Sequence, residues 1–354
     1  MEKQEASGSI KRPTISVVLP AFNEEAIIEK NLSRTCDYLD SSSRNFSWEL
    51  IVVNDGSFDR TGEIADAFAK DKSNVKVIHH QVNLQIGQAL RTAFSHCTGD
   101  YIITMDIDLS YSPDHIEHLL TKIQETKAQI VIASPYMKGG KVSNVPFIRR
   151  FFSRWGNRFL SYFAKGGLHT LTSLVRIYDG KFLRSLNLKA MDVEINAEIL
   201  YKAMVLRARI VEIPGHLDWG VFKKAGKSRV STVRIMRSIV TYILSGFTFR
   251  PFMFFTLPGL LIFLLSLYPL TWAFIHTKVE FGRVAPHVQF FYNRLSAAVG
   301  QAFKAYPHTF VVAGIALIIA IQLISLGLLA YQKKKYFEDL YHLGTSIFTN
   351  INRK

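Results

Sequence analysis

The segment Gly99-Asp100-Tyr101-Ile102-Ile103-Thr104-Met105-Asp106-Ile107-Asp108-Leu109 reads as a short apolar strand that ends on two carboxylates one residue apart. In an extended chain, side chains at i and i+2 point the same way. Asp106 and Asp108 are therefore expected to reach one hard cation together. Oxygen ligands suit Mg or Mn, and such ions complete their shell with water and phosphate oxygens. The pattern is one for holding a diphosphate. The competing reading makes Asp108 a turn cap ahead of Ser112-Pro113 and Asp106 a solvated side chain. A D-x-D alone does not separate the two.

The neighbouring segments bear on that choice. Residues 14–20 are rich in β-branched residues and stop at Pro20, and residues 49–53 are almost wholly apolar. Further strands are expected at 75–78 and 128–133, with helical patterns between all of them. Uniformly apolar strands alternating with helices predict an α/β fold with a parallel sheet covered on both faces. In such sheets ligands bind outside the carboxyl ends of the strands. Residues 20–24, 54–57 and 106–108 all fall at such ends. No G-x-G-x-x-G follows the first strand and no G-x-x-x-x-G-K-[ST] occurs, which disfavours a dinucleotide fold and a P-loop.

The ordered set Val17-Val18-Leu19-Pro20-Ala21-Phe22-Asn23-Glu24, Val53-Asn54-Asp55-Gly56-Ser57-Phe58-Asp59-Arg60-Thr61, Asn83 with Gly87 and Arg91, Gly99-Asp100, Met105-Asp106-Ile107-Asp108 and Val211-Glu212-Ile213-Pro214 resembles the family-2 glycosyltransferases of GT-A fold. It is closest in pattern to their dolichol-phosphate mannose synthase and polyprenyl-phosphate glycosyltransferase branch. The resemblance implies that Pro20, Phe22 and Glu24 line a nucleotide pocket. It implies that Asp55 accepts a hydrogen bond from the base, and that Asp106 and Asp108 hold Mg or Mn on the donor diphosphate.

On the acceptor side, residues 139–153 resemble the segment that binds the lipid phosphate in that branch, with Arg149 and Ser153 at the matching positions. Four residues apart, they share one helix face, and Arg suits bidentate capture of phosphate. The stretch Lys223-Lys224-Ala225-Gly226-Lys227-Ser228-Arg229 resembles the family's basic loop. Lys223, Lys224, Ser228 and Arg229 are implied to close on the diphosphate. The chain also departs from the pattern. It has Ser134-Pro135-Tyr136 for Ser-Arg-Tyr, and Thr170 through Val175 for Asp-x-x-Ser-Gly-Phe. Ser110 replaces a Gln, Glu194 replaces a Lys, and no Q-x-x-R-W is present, which disfavours a processive synthase.

The chain has 354 residues, with 43 Lys and Arg against 28 Asp and Glu, a formal net charge of +15. Residues 251–275 and 309–331 are nearly unbroken apolar runs, each about the ~20 residues that cross a bilayer. Basic residues crowd the outer flanks of these runs, before Arg250 and at Lys333, Lys334 and Lys335, so both chain ends are expected in the cytoplasm. Beside a membrane, this charge points to anionic lipid rather than nucleic acid. The polar first 13 residues lack an apolar signal region, and Cys36 and Cys97 form no disulfide framework.

The expected organisation is a cytoplasmic GT-A nucleotide-diphospho-sugar transferase domain (1–230) and an interfacial amphipathic helix (231–250). Two transmembrane helices (251–331) and a cytoplasmic basic tail (332–354) follow. Phe290-Phe291-Tyr292 fits the far membrane interface or association between copies equally, so a homo-oligomer stays open.

The expected reaction is inverting, metal-dependent transfer of one sugar from a UDP- or GDP-linked donor to a polyprenyl phosphate such as dolichyl or undecaprenyl phosphate. A phosphate acceptor needs no general base. A lipid hydroxyl acceptor would, and Asp192 or Glu194 would supply it. A non-catalytic module that binds nucleotide sugar is the third alternative.

Overall fold

The computed structural model describes residues 12–43, 45–163, 167–220, 247, 249–284 and 290–351. It divides into two compact units, residues 1–249 with 341–354, and residues 250–340. The first unit is built on strands β1 (Thr14–Ala21), β2 (Ser47–Asp55), β3 (Val75–His80), β4 (Tyr101–Thr104), β5 (Ile130–Ser134), β7 (Arg176–Asp179) and β8 (Ile210–Pro214). They form one sheet in the order β3-β2-β1-β4-β7-β5-β8. A second, two-stranded sheet pairs β6 (Lys141–Ser143) with β9 (His216–Asp218). Helices α1 (Ile28–Ser41), α2 (Thr61–Ala69), α3 (Gln85–His96), α4 (His115–Thr126), α5 (Phe147–Phe163), α6 (Gly180–Ser185) and α7 (Ile195–Val205) fill the connections.

The sheet forms because its central strands cannot be left wet on either face. Val17, Val18 and Leu19 are consecutive in β1 and all fully buried, so the strand is covered above and below. Helix α1 answers one face with Ile28, Leu32, Cys36 and Leu39, and α4 with Ile116, Leu119, Leu120 and Ile123. Both sets follow the 3.6-residue period of an amphipathic helix. Each such side chain contributes about 1.5–3 kcal/mol by leaving water.

The expected α/β class holds, with one correction to the all-parallel reading. β7 runs antiparallel to both β4 and β5, wedged between them. It is four residues long and carries Arg176, which reads as a surface residue. In fact Arg176 is fully buried. Its guanidinium donates to the carbonyls of Leu171, Ser173 and Asn196 at 2.5, 2.6 and 3.2 Å. Both cysteines are buried and unpaired, and burial pushes their thiols up, to about 11 for Cys36 and about 12 for Cys97.

The second unit contains helices α8 (Pro251–Arg283) and α9 (Phe291–Ala305), and much of α10 (Pro307–Ile351). Two of these are long and apolar enough to cross a membrane, Pro251–Arg283 and Pro307–Ile347. Pro258 and Pro269 lie inside α8. α9 occupies part of the stretch between the apolar runs. α10 continues without a break past Lys333, Lys334 and Lys335.

Candidate functional site

Three loops leave the carboxyl ends of β1, β2 and β4, next to where the strand order reverses between β1 and β4. That is where an open α/β sheet has room for a ligand. The first two loops are fastened together by their backbones. Asn23 N–H donates to Ser57 Oγ at 3.0 Å, Glu24 N–H to Thr61 Oγ1 at 2.8 Å and Phe58 N–H to Asn23 Oδ1 at 2.9 Å. Asp59 closes the knot. Partial burial pushes its carboxyl up, but hydrogen bonds from the Thr61 hydroxyl and backbone and the Glu25 backbone outweigh that and hold it below the usual range.

The third loop differs in detail from the expected extended strand end. β4 stops at Thr104, and Asp106 to Leu109 form a turn closed by Leu109 N–H to Asp106 C=O at 3.1 Å. Asp108 caps that turn, accepting from Ser110 N–H at 2.8 Å. The capping reading of Asp108 is thus correct, and it does not compete with a binding role. Asp106 and Asp108 are partly exposed while Met105, Ile107 and Leu109 are buried, so the alternation still sends both carboxylates to one side.

These loops enclose a cavity of about 390 Å³ lined by Pro20, Ala21, Phe22, Glu24, Asp55, Asn83, Gln85, Ile86, Ala89, Asp106, Ile107, Asp108 and Asp192. The six residues expected to hold the nucleotide and the metal (Pro20, Phe22, Glu24, Asp55, Asp106 and Asp108) therefore share one wall system. Its volume lies within the range of small-molecule sites, roughly 300–1,000 Å³. Five lining residues are carboxylates, and none is Lys, Arg or His. Among the described residues no three His, Cys, Asp or Glu side chains gather into a metal cage. One or two carboxylates are what Mg uses when a substrate phosphate completes the shell, so the donor set fits such an ion.

Asp55 is buried and held from behind. Its Oδ1 accepts from His80 Nδ1 at 2.7 Å and from Leu84 N–H at 3.0 Å, and His80 Nε2 meets Thr92 Oγ1 at 2.9 Å. His80 stands beside Asp55 in the β2–β3 register. Its part in fixing Asp55 carries no motif signal; only strand register could have revealed it.

The loop carrying Asp192 docks on α3. Gln88 N–H donates to Met191 C=O at 3.0 Å, and a Cβ on Gly87 would sit 2.5 Å from the Met191 backbone. Glu198 fixes the same loop from α7, accepting from Lys189 and Ala190 N–H at 2.9 and 2.8 Å. Glu194 does not line the cavity.

On the acceptor side, Arg149 and Ser153 lie on α5, and Ser153 does not line this cavity. The Tyr136 hydroxyl donates to Ser153 Oγ at 2.8 Å. Thr170 lies close to the strand end that leads into Pro135, since Ser134 Oγ and Thr170 Oγ1 are 2.6 Å apart. Lys223, Lys224, Ser228 and Arg229, and the interfacial segment through residue 246, lie outside the described residues.

Residues 16–185 match the family described as glycosyl transferase family 2. The chain is 36% identical over 140 residues to a dolichol-phosphate mannosyltransferase of Pyrococcus furiosus, covering 40% of this chain and 38% of that one. It is 26% identical over 245 residues to a polyprenol monophosphomannose synthase of Mycolicibacterium smegmatis, covering 64% and 89%. The chain spans 38% to 49% of the length of three of the curated relatives it matches. A solved glucosyl-3-phosphoglycerate synthase from Mycobacterium tuberculosis, in complex with Mg2+ and UDP, is similar at 21% identity and a TM-score of 0.49, covering 66% of this chain and 79% of that one.

Proposed function

Because residues 16–185 form a glycosyl transferase family 2 domain, we propose that this chain moves one sugar, with inversion, from a nucleotide sugar to a polyprenyl phosphate at a membrane surface. The observation that carries the reading is the convergence of Pro20, Phe22, Glu24, Asp55, Asp106 and Asp108 on one cavity. Residues far apart in sequence meet there at the ligand-binding edge of the sheet.

Pro20 and Phe22 offer the base an apolar wall, and Asp55 accepts its N–H. Asp106 and Asp108 would hold Mg or Mn, which supplies Lewis-acid charge against the leaving diphosphate. Arg149 and Ser153 bind the acceptor phosphate. Tyr136 donates to Ser153 Oγ, so the Ser153 O–H can donate a hydrogen bond to one phosphate oxygen. An unprotonated oxygen of the same phosphate forms the new bond to the anomeric carbon as the bond to the diphosphate breaks on the opposite face. The acceptor monoester, with a second pKa near ~6, is already largely a dianion at neutral pH. No side chain has to take a proton from it. Lys223, Lys224, Ser228 and Arg229 neutralise the departing diphosphate. The apolar helices α8 and α10 anchor the domain, which faces the cytoplasm with both chain ends.

One observation favours a second reading, transfer to a lipid hydroxyl: Asp192 lines the cavity, where it could act as base. The test is to incubate the purified protein with a panel of nucleotide sugars, polyprenyl phosphate, diacylglycerol and a sphingolipid, then identify the product by mass spectrometry. A glycosylated polyprenyl phosphate is expected. Product on the hydroxyl lipids alone, or none with any donor, overturns the proposal.

A further inference from the structure

We infer that Gln85 reads the nucleobase and selects a base with a carbonyl beside a ring N–H, as in uracil and guanine, over cytosine and adenine. The inference rests on the nucleotide-sugar reading of the cavity and deepens it.

Gln85 is one of six described non-glycine residues with positive φ, and its φ of 73° is the largest. The others have local reasons. Asn23 and Asn144 are the residue type that tolerates this conformation, Lys127 and Arg207 follow helix ends, and Leu109 anchors its side chain in the core. Gln85 has none of these. Glycine would adopt the conformation freely. A strained side chain persists when something needs it.

Among the described residues nothing uses this side chain. Gln85 is exposed, lines the cavity and makes no side-chain hydrogen bond to another described residue. Its position is nonetheless fixed. Leu84 N–H donates to Asp55 Oδ1 and Asn83 Nδ2 to Asp55 C=O, at 3.0 and 3.3 Å. These two bonds tie the chain just ahead of Gln85 to the aspartate assigned to the base.

The chemistry of the pair then defines the ligand. A carboxylate only accepts, whereas a Gln amide can donate. Asp55 accepting a ring N–H, with Gln85 donating to the adjacent carbonyl, matches N3–H and O4 of uracil or N1–H and O6 of guanine. Cytosine and adenine present a ring lone pair to Asp55 and an amino group to Gln85. A buried acceptor left unpaired in this way discriminates strongly.

Calorimetric titration of the full-length protein in detergent with UDP, GDP, CDP and ADP, each with Mg2+, tests this. Wild type should bind UDP or GDP at least about tenfold tighter than CDP and ADP. Gln85→Gly and Gln85→Ala should each weaken the preferred nucleotide by about 5- to 20-fold and leave the poor ones unchanged. Gln85→Gly should also raise the Tm of the unliganded protein, because it removes the strain, whereas Gln85→Ala should not.

Unaltered affinity in both variants overturns the inference while leaving the nucleotide site standing. So does tighter wild-type binding of CDP or ADP. A loss confined to the sugar-bearing donor, with the bare nucleoside diphosphate unaffected, overturns it by placing Gln85 on the sugar. Absence of wild-type binding to all four nucleotides overturns the site reading itself, and this inference with it.

Discussion

The donor cavity and helix α5 are both candidate binding regions of the same unit, and they are built on opposite principles. The cavity is assembled from loops tied to one another by backbone N–H to side-chain hydroxyl bonds, on strands whose central side chains are buried. Helix α5 presents Phe147 at 70%, Phe151 at 56% and Trp155 at 49% exposure, four residues apart along one face, with Arg150, Arg154 and Arg158 also exposed. One region is preorganised for a small polar ligand, and the other displays the apolar and basic groups that suit a lipid surface. The difference separates two tasks. Holding a diphosphate needs fixed carboxylates, while meeting a lipid needs an available face.

The contrast breaks first if the cavity proves dispensable. Asp108→Ala removes one of two proposed metal carboxylates and the cap on Ser110. Turnover of the preferred donor should fall on the order of 10³-fold. Circular dichroism should show the fold intact. Transfer at near wild-type rate would remove the cavity from the chemistry.

Arg149→Ala tests the other region. A charge-assisted bond of about 1.5–3 kcal/mol implies a loss of roughly 10- to 100-fold in kcat/KM for the lipid phosphate. The nucleotide's affinity should not change, and Arg149→Lys should recover only part of the loss. A weakened nucleotide would mean that the two regions are one site.

Gly87→Ala probes how the donor side is kept rigid. The new Cβ would meet the Met191 backbone at 2.5 Å and Asp192 C=O at 2.7 Å. A shift of the Asp192 loop should cost about 1–3 kcal/mol of stability, read as a lower denaturation midpoint. The double change Phe151→Ser with Trp155→Ser should leave soluble-donor binding intact and raise the KM for a vesicle-borne lipid acceptor by several-fold, as an interfacially seated side chain gains only a fraction of the about 1.5–3 kcal/mol of full burial. An unchanged KM would assign the exposed stripe another partner.

The same division governs what could be read from the sequence. The donor half was legible because strand ends and D-x-D spacing are local, and each loop follows an apolar run that announces it. β7 was not, since its burial of Arg176 depends on carbonyls of residues 171, 173 and 196 that only tertiary structure brings round. His80 behind Asp55 and Gln85 in the wall were missed for a related reason. Register and a positive φ leave no composition signature. On the acceptor side, the pairing of Ser134 with Thr170 brings the departure at Thr170 close to the one at Pro135, and the two look independent in the chain.

The smallest expected effect decides what α5 delivers to the cavity. Asp192 lines the cavity and could deprotonate a hydroxyl acceptor. A general base contributes about 10²- to 10⁴-fold, so Asp192→Asn would be crippling on that route. A phosphate monoester brings its own charge. Its rate should rise with pH through ~6, as the second proton leaves the acceptor rather than the enzyme. Asp192→Asn should then change kcat by less than about threefold, a shift under 1 kcal/mol. The ~6 limb should stay in place in both proteins, because the titrating group is on the substrate. Glu194→Ala should behave alike, since Glu194 stands outside the cavity and accepts from the Asp192 backbone N–H at 3.3 Å. A rate that collapses in Asp192→Asn while nucleotide affinity is unchanged would overturn the phosphate reading and leave the donor cavity as it is.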